Sequence, residues 1–409
     1  MNILVMTQYF YPENFRVNDL CVELVNRGHS VTVLTGYPQY PQGKIYDGYG
    51  FSEEYVKIWN GVNIERVKMK PRGKTPFGLL NNCYSYVREA NKWVKKCNIR
   101  YDVVYVFEVS PVTVGLPAVT YKKKFGTPIA FNVQDLWPEN VECVLGIHFK
   151  PIIKIIDYIV DKIYNNSDYI LCSSRSFARN IARRGIDENK LYFWPQFCNT
   201  PNFAGKSKPD CYREENFNIV FAGNIGEAQG LDLLVDTAET IKDSNVKWYL
   251  VGDGRARARL EEKVKAKGLE NSVIFVGKVS AEEADVYVHF ADCAYLSFAD
   301  NPIFDMTIPA KLQTYLACGT PILAAAGGES AEIIRENNCG TAVAKNAESV
   351  KNGIEVLMSC DRVSMRKNCI ACFETNFTKE KLTDKLEEYF EGGKIPPGKI
   401  HSKCVDKKR

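Results

Sequence analysis

The chain has 409 residues, of which 45% are hydrophobic and 25% charged. That is too long for one ordinary core, and the usage excludes a disordered chain, a collagen-like chain and a disulfide-stapled mini-scaffold. Lys and Arg number 53 against 49 Asp and Glu, a net charge of +4; a whole-chain nucleic-acid binder would be more basic, so no nucleic-acid partner is expected.

The first segment, Met1-Asn2-Ile3-Leu4-Val5-Met6, has no basic leader-type region and runs straight into a strand-like stretch. Ile3–Thr7 reads as a buried strand, Phe15–Arg27 as an amphipathic helix and Ser30–Thr35 as a second strand. Asp102–Phe107 and Pro128–Val133 are further β-rich runs, with helical stretches between them. Tyr169–Cys172 is one more strand, followed by a helix over Ser176–Arg184. Strands alternating with helices predict a parallel sheet covered on both faces. Thr200–Asn216 is polar and aperiodic and reads as a linker.

The pattern then restarts. Phe217–Ala222 is a new first strand, followed by a glycine-containing turn and a helix over Leu231–Lys242. Val246–Val251, Val273–Val276, Asp292–Leu296 and Pro321–Ala324 continue the strands. The fold class is therefore α/β, two Rossmann-like domains facing across a cleft. The expected bounds are an N-terminal domain over 1–199, a second over 200–375, a returning helix over 376–393 and a basic tail over 394–409. Ligands of open parallel sheets sit at the carboxyl ends of strands, so the cleft is the expected site. Cys369 and Cys372 have the C-x-x-C spacing, but His29, His148, His289 and His401 are isolated, so the pair reads as two thiols on a helix. The fourteen scattered Cys and the lack of a bilayer-length apolar run lead to the expectation of a reducing cytoplasm.

Three segments of the second half carry candidate chemistry. In Phe221-Ala222-Gly223-Asn224-Ile225-Gly226-Glu227-Ala228-Gln229-Gly230, strand, glycine turn and helix follow in order. Such a turn lets backbone N–H groups reach a phosphate, although a ligand-free tight turn has the same spacing. Val251-Gly252-Asp253-Gly254-Arg255 is a second strand end with two glycines and a cation, and it carries the same two readings. In Asn301–Gly319, a loop with Asn301, Asp305 and Thr307 enters a helix near Pro309, which puts Lys311 in the first turn. A helix N-terminus disfavours a cation unless an anion is present, so Lys311 reads as a phosphate ligand; a snorkelling surface lysine is the alternative. Gly327-Gly328 opens another helix, in which Glu332 is either a helix-start carboxylate or a ligand for sugar hydroxyls.

With Leu316-Ala317-Cys318-Gly319-Thr320-Pro321 and the N-terminal Gln-Tyr-Phe-Tyr-Pro-Glu and Arg27–Thr35 blocks, these segments resemble the retaining family 4 glycosyltransferases of the GT-B fold, over nearly the whole chain. The departures are specific. The family's phosphate Arg and Lys fall on Asn224 and Gln229, its two motif glutamates on Met306 and Thr314, and its cleft His on Gln134. The variant pattern is similar to bacterial transferases of N-acetyl-fucosamine-type sugars in surface-polysaccharide synthesis. A 6-deoxy sugar lacks the C6 hydroxyl that the family His contacts, so Gln134 is compatible with that donor.

The resemblance implies a UDP-sugar donor held by Gly223, Asn224, Gly226, Gln229, Gly252, Arg255, Lys311 and Glu332, with Lys311 and Arg255 meeting the phosphate charge. It implies an acceptor, a lipid-linked saccharide, on the first domain near Glu13, Asn14 and Arg16. Arg16 is read either as an acceptor-phosphate ligand or as a solvated helix-start residue. Glu108 and Asp135 end strands and, with Lys311, are the expected catalytic groups; helix capping is the other reading of either carboxylate. No Asp-x-Asp is present, so no metal is expected. Without a carboxylate pair for double displacement, same-face attack is expected, with retention as the resemblance implies.

Two basic features bear on location. Arg88, Lys92, Lys95, Lys96 and Arg100 recur at helical spacing near Trp93, and can meet an anionic membrane or simply be solvated. Phe149–Tyr164 is Ile-rich with a narrow polar stripe, and is read as a core helix in preference to a membrane-surface one. The expected place is the cytoplasm, peripheral at the inner membrane face. Two other functions fit the architecture: a sugar-nucleotide epimerase, which Gln134 disfavours, and a non-catalytic bilobal binding protein.

Overall fold

Continuous buried runs such as Asn2–Met6 and Phe217–Ala222 form the central strands of two sheets, because parallel strands are covered on both faces. The computed structural model describes residues 1–50, 55–73, 75–109, 111–143 and 149–391. The chain divides into two compact units, one formed by Met1–Pro195 with the chain from Thr383 onward, the other by Gln196–Leu382.

The first unit has β1 (Asn2–Met6), β2 (Ser30–Thr35), β3 (Ile58–Trp59), β4 (Val62–Arg66), β5 (Val103–Glu108), β6 (Ile129–Val133), β7 (Tyr169–Cys172) and β8 (Leu191–Phe193). Their order is β3-β4-β2-β1-β5-β6-β7-β8, parallel except for the β3–β4 hairpin. Helices at Arg16–Asn26, Pro76–Lys96, Leu116–Phe125, Lys150–Asn166 and Arg175–Arg183 cover the sheet. Thr75 and Ser174 cap two of them through their hydroxyls. The final helix, Lys379–Phe390, packs on this unit from Thr383 onward. Arg27 Nη1 lies 2.7 Å from both Asp384 and Glu387, and His29 Nε2 is 2.7 Å from Glu387. The Tyr389 ring sits 4.5 Å from that of Tyr192.

The second unit has β9 (Phe217–Ala222), β10 (Val246–Val251), β11 (Val273–Gly277), β12 (Cys293–Ser297), β13 (Ile322–Ala325) and β14 (Gly340–Ala342), all parallel in the order β11-β10-β9-β12-β13-β14. Alternation along β9 divides the core: Ile219 and Phe221 pack with Trp248 and Tyr295 on one face, Val220 and Ala222 with Tyr315 and Phe373 on the other.

Several expectations need correction. Thr200–Asn216 is part of the second unit: the Phe203 ring stacks 3.9 Å from His289, and Tyr212 is buried in the core. The unit boundary falls at Pro195 and not at 199, and the second unit runs to Leu382. Arg100 lies past the end of the Pro76–Lys96 helix, so it is not on that helix's basic face. The Lys150–Asn166 helix is not a core helix, because only Val160, Ile163 and Tyr164 are buried. The basic tail lies outside the described residues.

Candidate active site

At a point where strand order reverses, the loops from neighbouring strands diverge and leave room for a ligand. In the second unit that point lies between β9 and β12. β9 runs into Gly223-Asn224-Ile225-Gly226 and then one 3-10 turn, Glu227–Gln229. The helix expected from Leu231 is Asp232–Thr240, so no α-helix starts at Gly226 itself.

Gly223 has φ +136°, and a Cβ there would fall 2.6 Å from Lys311 Cε. Gly252, at φ +135°, lies against it; its Cβ would meet the Gly223 carbonyl oxygen at 2.0 Å. Conformation and space both require glycine at these two positions. The Gly223 amide donates to Val251 O at 2.9 Å and the Ile225 amide to Asp253 O at 2.8 Å. The two glycine turns are thus stacked into one structure. The carboxamide of Asn224 lies over Gly226 and Gly254.

Lys311 is the second residue of the Ala310–Ala317 helix, whose cap is Pro309; the proline precedes the first turn instead of starting it. The Lys311 ammonium donates to Gln229 Oε1 and stands 4.7 Å from the centroid of the Phe221 ring. No carboxylate lies within ion-pair distance among the described residues. Burial lowers its pKa from 10.5 to about 8, and the helix start opposes a cation further. A half-buried ammonium without a counter-charge is an unfavourable arrangement that an incoming anion would relieve. The surrounding frame is rigid. Ser297 Oγ donates to Gln229 O at 2.6 Å, and the Tyr315 hydroxyl accepts from Ala222 N at 3.1 Å.

The expected Asn301–Thr307 loop contains a helical turn, Pro302–Met306. Asn301 Oδ1 caps it by accepting from Ile303 N at 2.9 Å, and Thr307 Oγ1 donates to Ile303 O at 2.8 Å. Both polar side chains therefore serve local structure. The structure brings Gly223, Gln229, Gly252 and Lys311 together. Arg255 is exposed on the adjoining turn and takes no part in the Lys311 contacts. Glu332 is half-buried on the second turn of the Gly328–Glu336 helix; the first-turn acid is the fully buried Glu329. Phe221 and Ser297 were not legible as site residues, because a strand Phe and a strand-end Ser look like ordinary core and edge.

In the first unit the order reverses between β1 and β5. β5 ends in Glu108, which is fully buried. Its Oε2 accepts the backbone N–H groups of Gln134 and Asp135, both at 3.0 Å. Burial, reinforced by the Asp135 charge, holds its pKa well above the usual carboxylate range. Glu108, one of the expected catalytic groups, clamps the turn after β6. Asp135, half-buried, belongs to the turn so held. Gln134 Nε2 donates to Asn132 Oδ1 at 2.6 Å.

Glu13 likewise holds backbone amides. It is buried, with Oε1 accepting from Gln39 N at 2.8 Å and Tyr40 N at 2.6 Å, and Oε2 from Phe10 N at 3.3 Å. Burial raises its pKa despite these bonds. It fastens two loops together. Asn14 is exposed, and Arg16 is the first residue of the Arg16–Asn26 helix. Cys369 and Cys372 are buried on the Arg362–Asn376 helix, with Cys369 Sγ 3.4 Å from the carbonyls of Thr320 and Cys339. Among the described residues no cluster of three or more His, Cys, Asp or Glu is placed to hold a metal.

Residues 14–195 match the Glycosyl transferase 4-like domain, and residues 208–372 match Glycosyl transferases group 1. Over 373 residues the chain is 24% identical to WcaI of Escherichia coli (strain K12), a glycosyl transferase assigned to colanic acid biosynthesis; the match covers 86% of this chain and 90% of the relative. The crystal structure of Anabaena HepE in complex with UDP superposes with a TM-score of 0.67 at 16% identity, over 96% of this chain and 100% of that one. Sucrose-phosphate synthase from Thermosynechococcus elongatus gives 0.71 at 17% identity, over 96% and 98%. Each unit thus carries one half of a two-domain glycosyltransferase, and the chain belongs to the group 1, 4-like glycosyltransferase family with the GT-B fold.

Proposed function

We propose that this protein transfers a sugar from a UDP-sugar to a lipid-linked saccharide, with retention, in surface-polysaccharide synthesis. The observation that carries the reading is Lys311, a half-buried ammonium with no carboxylate partner among the described residues, set beside Gln229 at the strand reversal of the second unit. Gln229 stands where the resemblance places the family's lysine, and Lys311 delivers a cation to the same spot from another helix. The assignment of WcaI to colanic acid biosynthesis supports the pathway class, and the UDP complex of HepE supports the nucleotide.

In this reading the diphosphate lies over the Gly223 turn. Lys311 and the backbone N–H groups near Gly226 neutralise the charge that grows on the leaving phosphate. The acceptor hydroxyl attacks from the same face as the departing diphosphate, through an oxocarbenium-like transition state. Asp135 orients hydroxyls of donor or acceptor, with its turn held by Glu108. The chemistry proceeds without a divalent ion. An N-acetyl-fucosamine-type donor suits Gln134, whose carboxamide is engaged with Asn132 and would have no C6 hydroxyl to meet. The test is incubation with a panel of UDP-sugars and a polyprenyl-diphosphate-linked saccharide, read by mass spectrometry of the product. Transfer from a 6-deoxy N-acetylated donor is expected. No transfer from any donor by folded protein, or epimerised UDP-sugar without acceptor, would overturn the reading.

A further inference from the structure

The helix Lys150–Asn166 turns Val160, Ile163 and Tyr164 inward. Its other side exposes Ile152 (43%), Ile155 (62%) and Tyr158 (68%), and Phe149, just before its start, is 62% exposed. Lys150, Lys154 and Lys162 are exposed among them. Its two carboxylates, Asp157 and Asp161, both lie 2.8 Å from Arg184, which offsets part of the acidic charge of the helix. The outward side is otherwise aliphatic, aromatic and positive.

The neighbouring Leu116–Phe125 helix packs against both this helix and Pro76–Lys96. The latter repeats the chemistry. Leu80 and Tyr84 are 67% and 65% exposed, and Arg88 and Lys92 continue the same i, i+4 stripe. Its one outward acid, Glu89, lies 2.7 Å from Lys92. Lys123 on the middle helix is also exposed. Two of these three adjacent helices therefore present large apolar side chains, and the exposed lysines Lys123, Lys150, Lys154 and Lys162 lie on the layer with them.

Phe149, Ile152, Ile155 and Tyr158 gather around one helix start, and such a cluster of exposed apolar groups marks an interaction surface. A protein partner fits poorly, because lysines are depleted from the cores of protein interfaces. A bilayer surface fits well: apolar side chains enter the acyl boundary, Tyr sits at headgroup level, and Lys stems extend to anionic headgroups. We propose that this three-helix face docks on an anionic bilayer. It shares with the preceding reading only the lipid location of the acceptor, and its test needs no turnover, so the two fail separately.

The test is flotation of the full-length protein with phosphatidylcholine vesicles, with and without phosphatidylglycerol. Binding is expected only with the anionic lipid. The Ile155→Ser/Tyr158→Ser variant should bind about tenfold more weakly or worse, and Lys150→Glu/Lys154→Glu should lose the anionic preference, both with an unchanged melting temperature. Three results would each overturn the proposal. One is absent vesicle binding. Another is binding unaffected by either variant, including binding lost only when the basic segment after Phe390 is removed. The last is a concentration-dependent dimer that the apolar variant abolishes, because a second copy would then be the occupant.

Discussion

Replacing Lys311 by Met should make the second unit more stable while removing its grip on a diphosphate. A lysine whose pKa falls from 10.5 to about 8 on folding destabilises the folded state by roughly 3 kcal/mol at neutral pH. The hydrogen bond to Gln229 and the Phe221 ring offset about 2 kcal/mol of that. Methionine keeps the side-chain packing and removes both terms, for a net gain of about 1 kcal/mol, or roughly 2–4 °C in Tm. The folded state binds this proton more weakly than the unfolded chain. The penalty is therefore complete below about pH 8 and fades as pH rises toward 10.5. The gain should appear at pH 7 and vanish near the upper limit. Thermal melts of wild type and Lys311→Met, with and without UDP, make the assay. UDP at about a hundred times its Kd should stabilise the wild type by about 2.7 kcal/mol and the variant little. A variant that melts lower than wild type yet shows the same UDP shift would refute the reasoning.

Three further outcomes follow from particular contacts. The kcat/KM for the UDP-sugar should fall about tenfold per pH unit above the Lys311 pKa of about 8; a flat profile to pH 9.5 would show that this proton is not needed. Glu108→Ala should cost about 2–4 kcal/mol of stability, since it orphans the amides of Gln134 and Asp135. Glu108→Gln keeps an acceptor there, and because burial raises the Glu108 pKa, stability should decline more steeply with rising pH in the wild type than in the Gln variant. Arg27→Ala should lower stability by about 1 kcal/mol, since its contacts to Asp384 and Glu387 are partly exposed; chemical denaturation that shows no loss would remove the ion cluster as an anchor for the last helix.

The alternation of buried strand runs with amphipathic helices was enough to read both sheets, because parallel strands covered on two faces leave a strong pattern. The short strands Ile58–Trp59, Leu191–Phe193 and Gly340–Ala342 left no such pattern, and Val62–Arg66 was missed because it alternates buried and exposed residues. Thr200–Asn216 looked like a linker because its packing rests on scattered aromatics, Phe203 and Tyr212, and not on a period. Within the site, the glycines were legible from strand–turn spacing, and Lys311 from the conflict between its charge and its helix position. Its contact with Gln229 spans 82 positions in sequence, so only the fold reveals it. The turn-holding contacts of Glu108 and Glu13 were not legible for one reason. A carboxylate at a strand end looks the same in sequence whether it faces a ligand or ties down a neighbouring turn, and burial decides which. The Ile-rich Lys150–Asn166 helix was misjudged in the opposite sense, since hydrophobic composition does not say which face is covered.

If Lys311 completes a diphosphate site, a crystal structure with bound UDP will place a phosphate oxygen within about 3 Å of Lys311 Nζ, with the Lys311–Gln229 bond broken or shared and the diphosphate over Gly223. A UDP bound elsewhere, with that bond intact and Lys311 untouched, would contradict it.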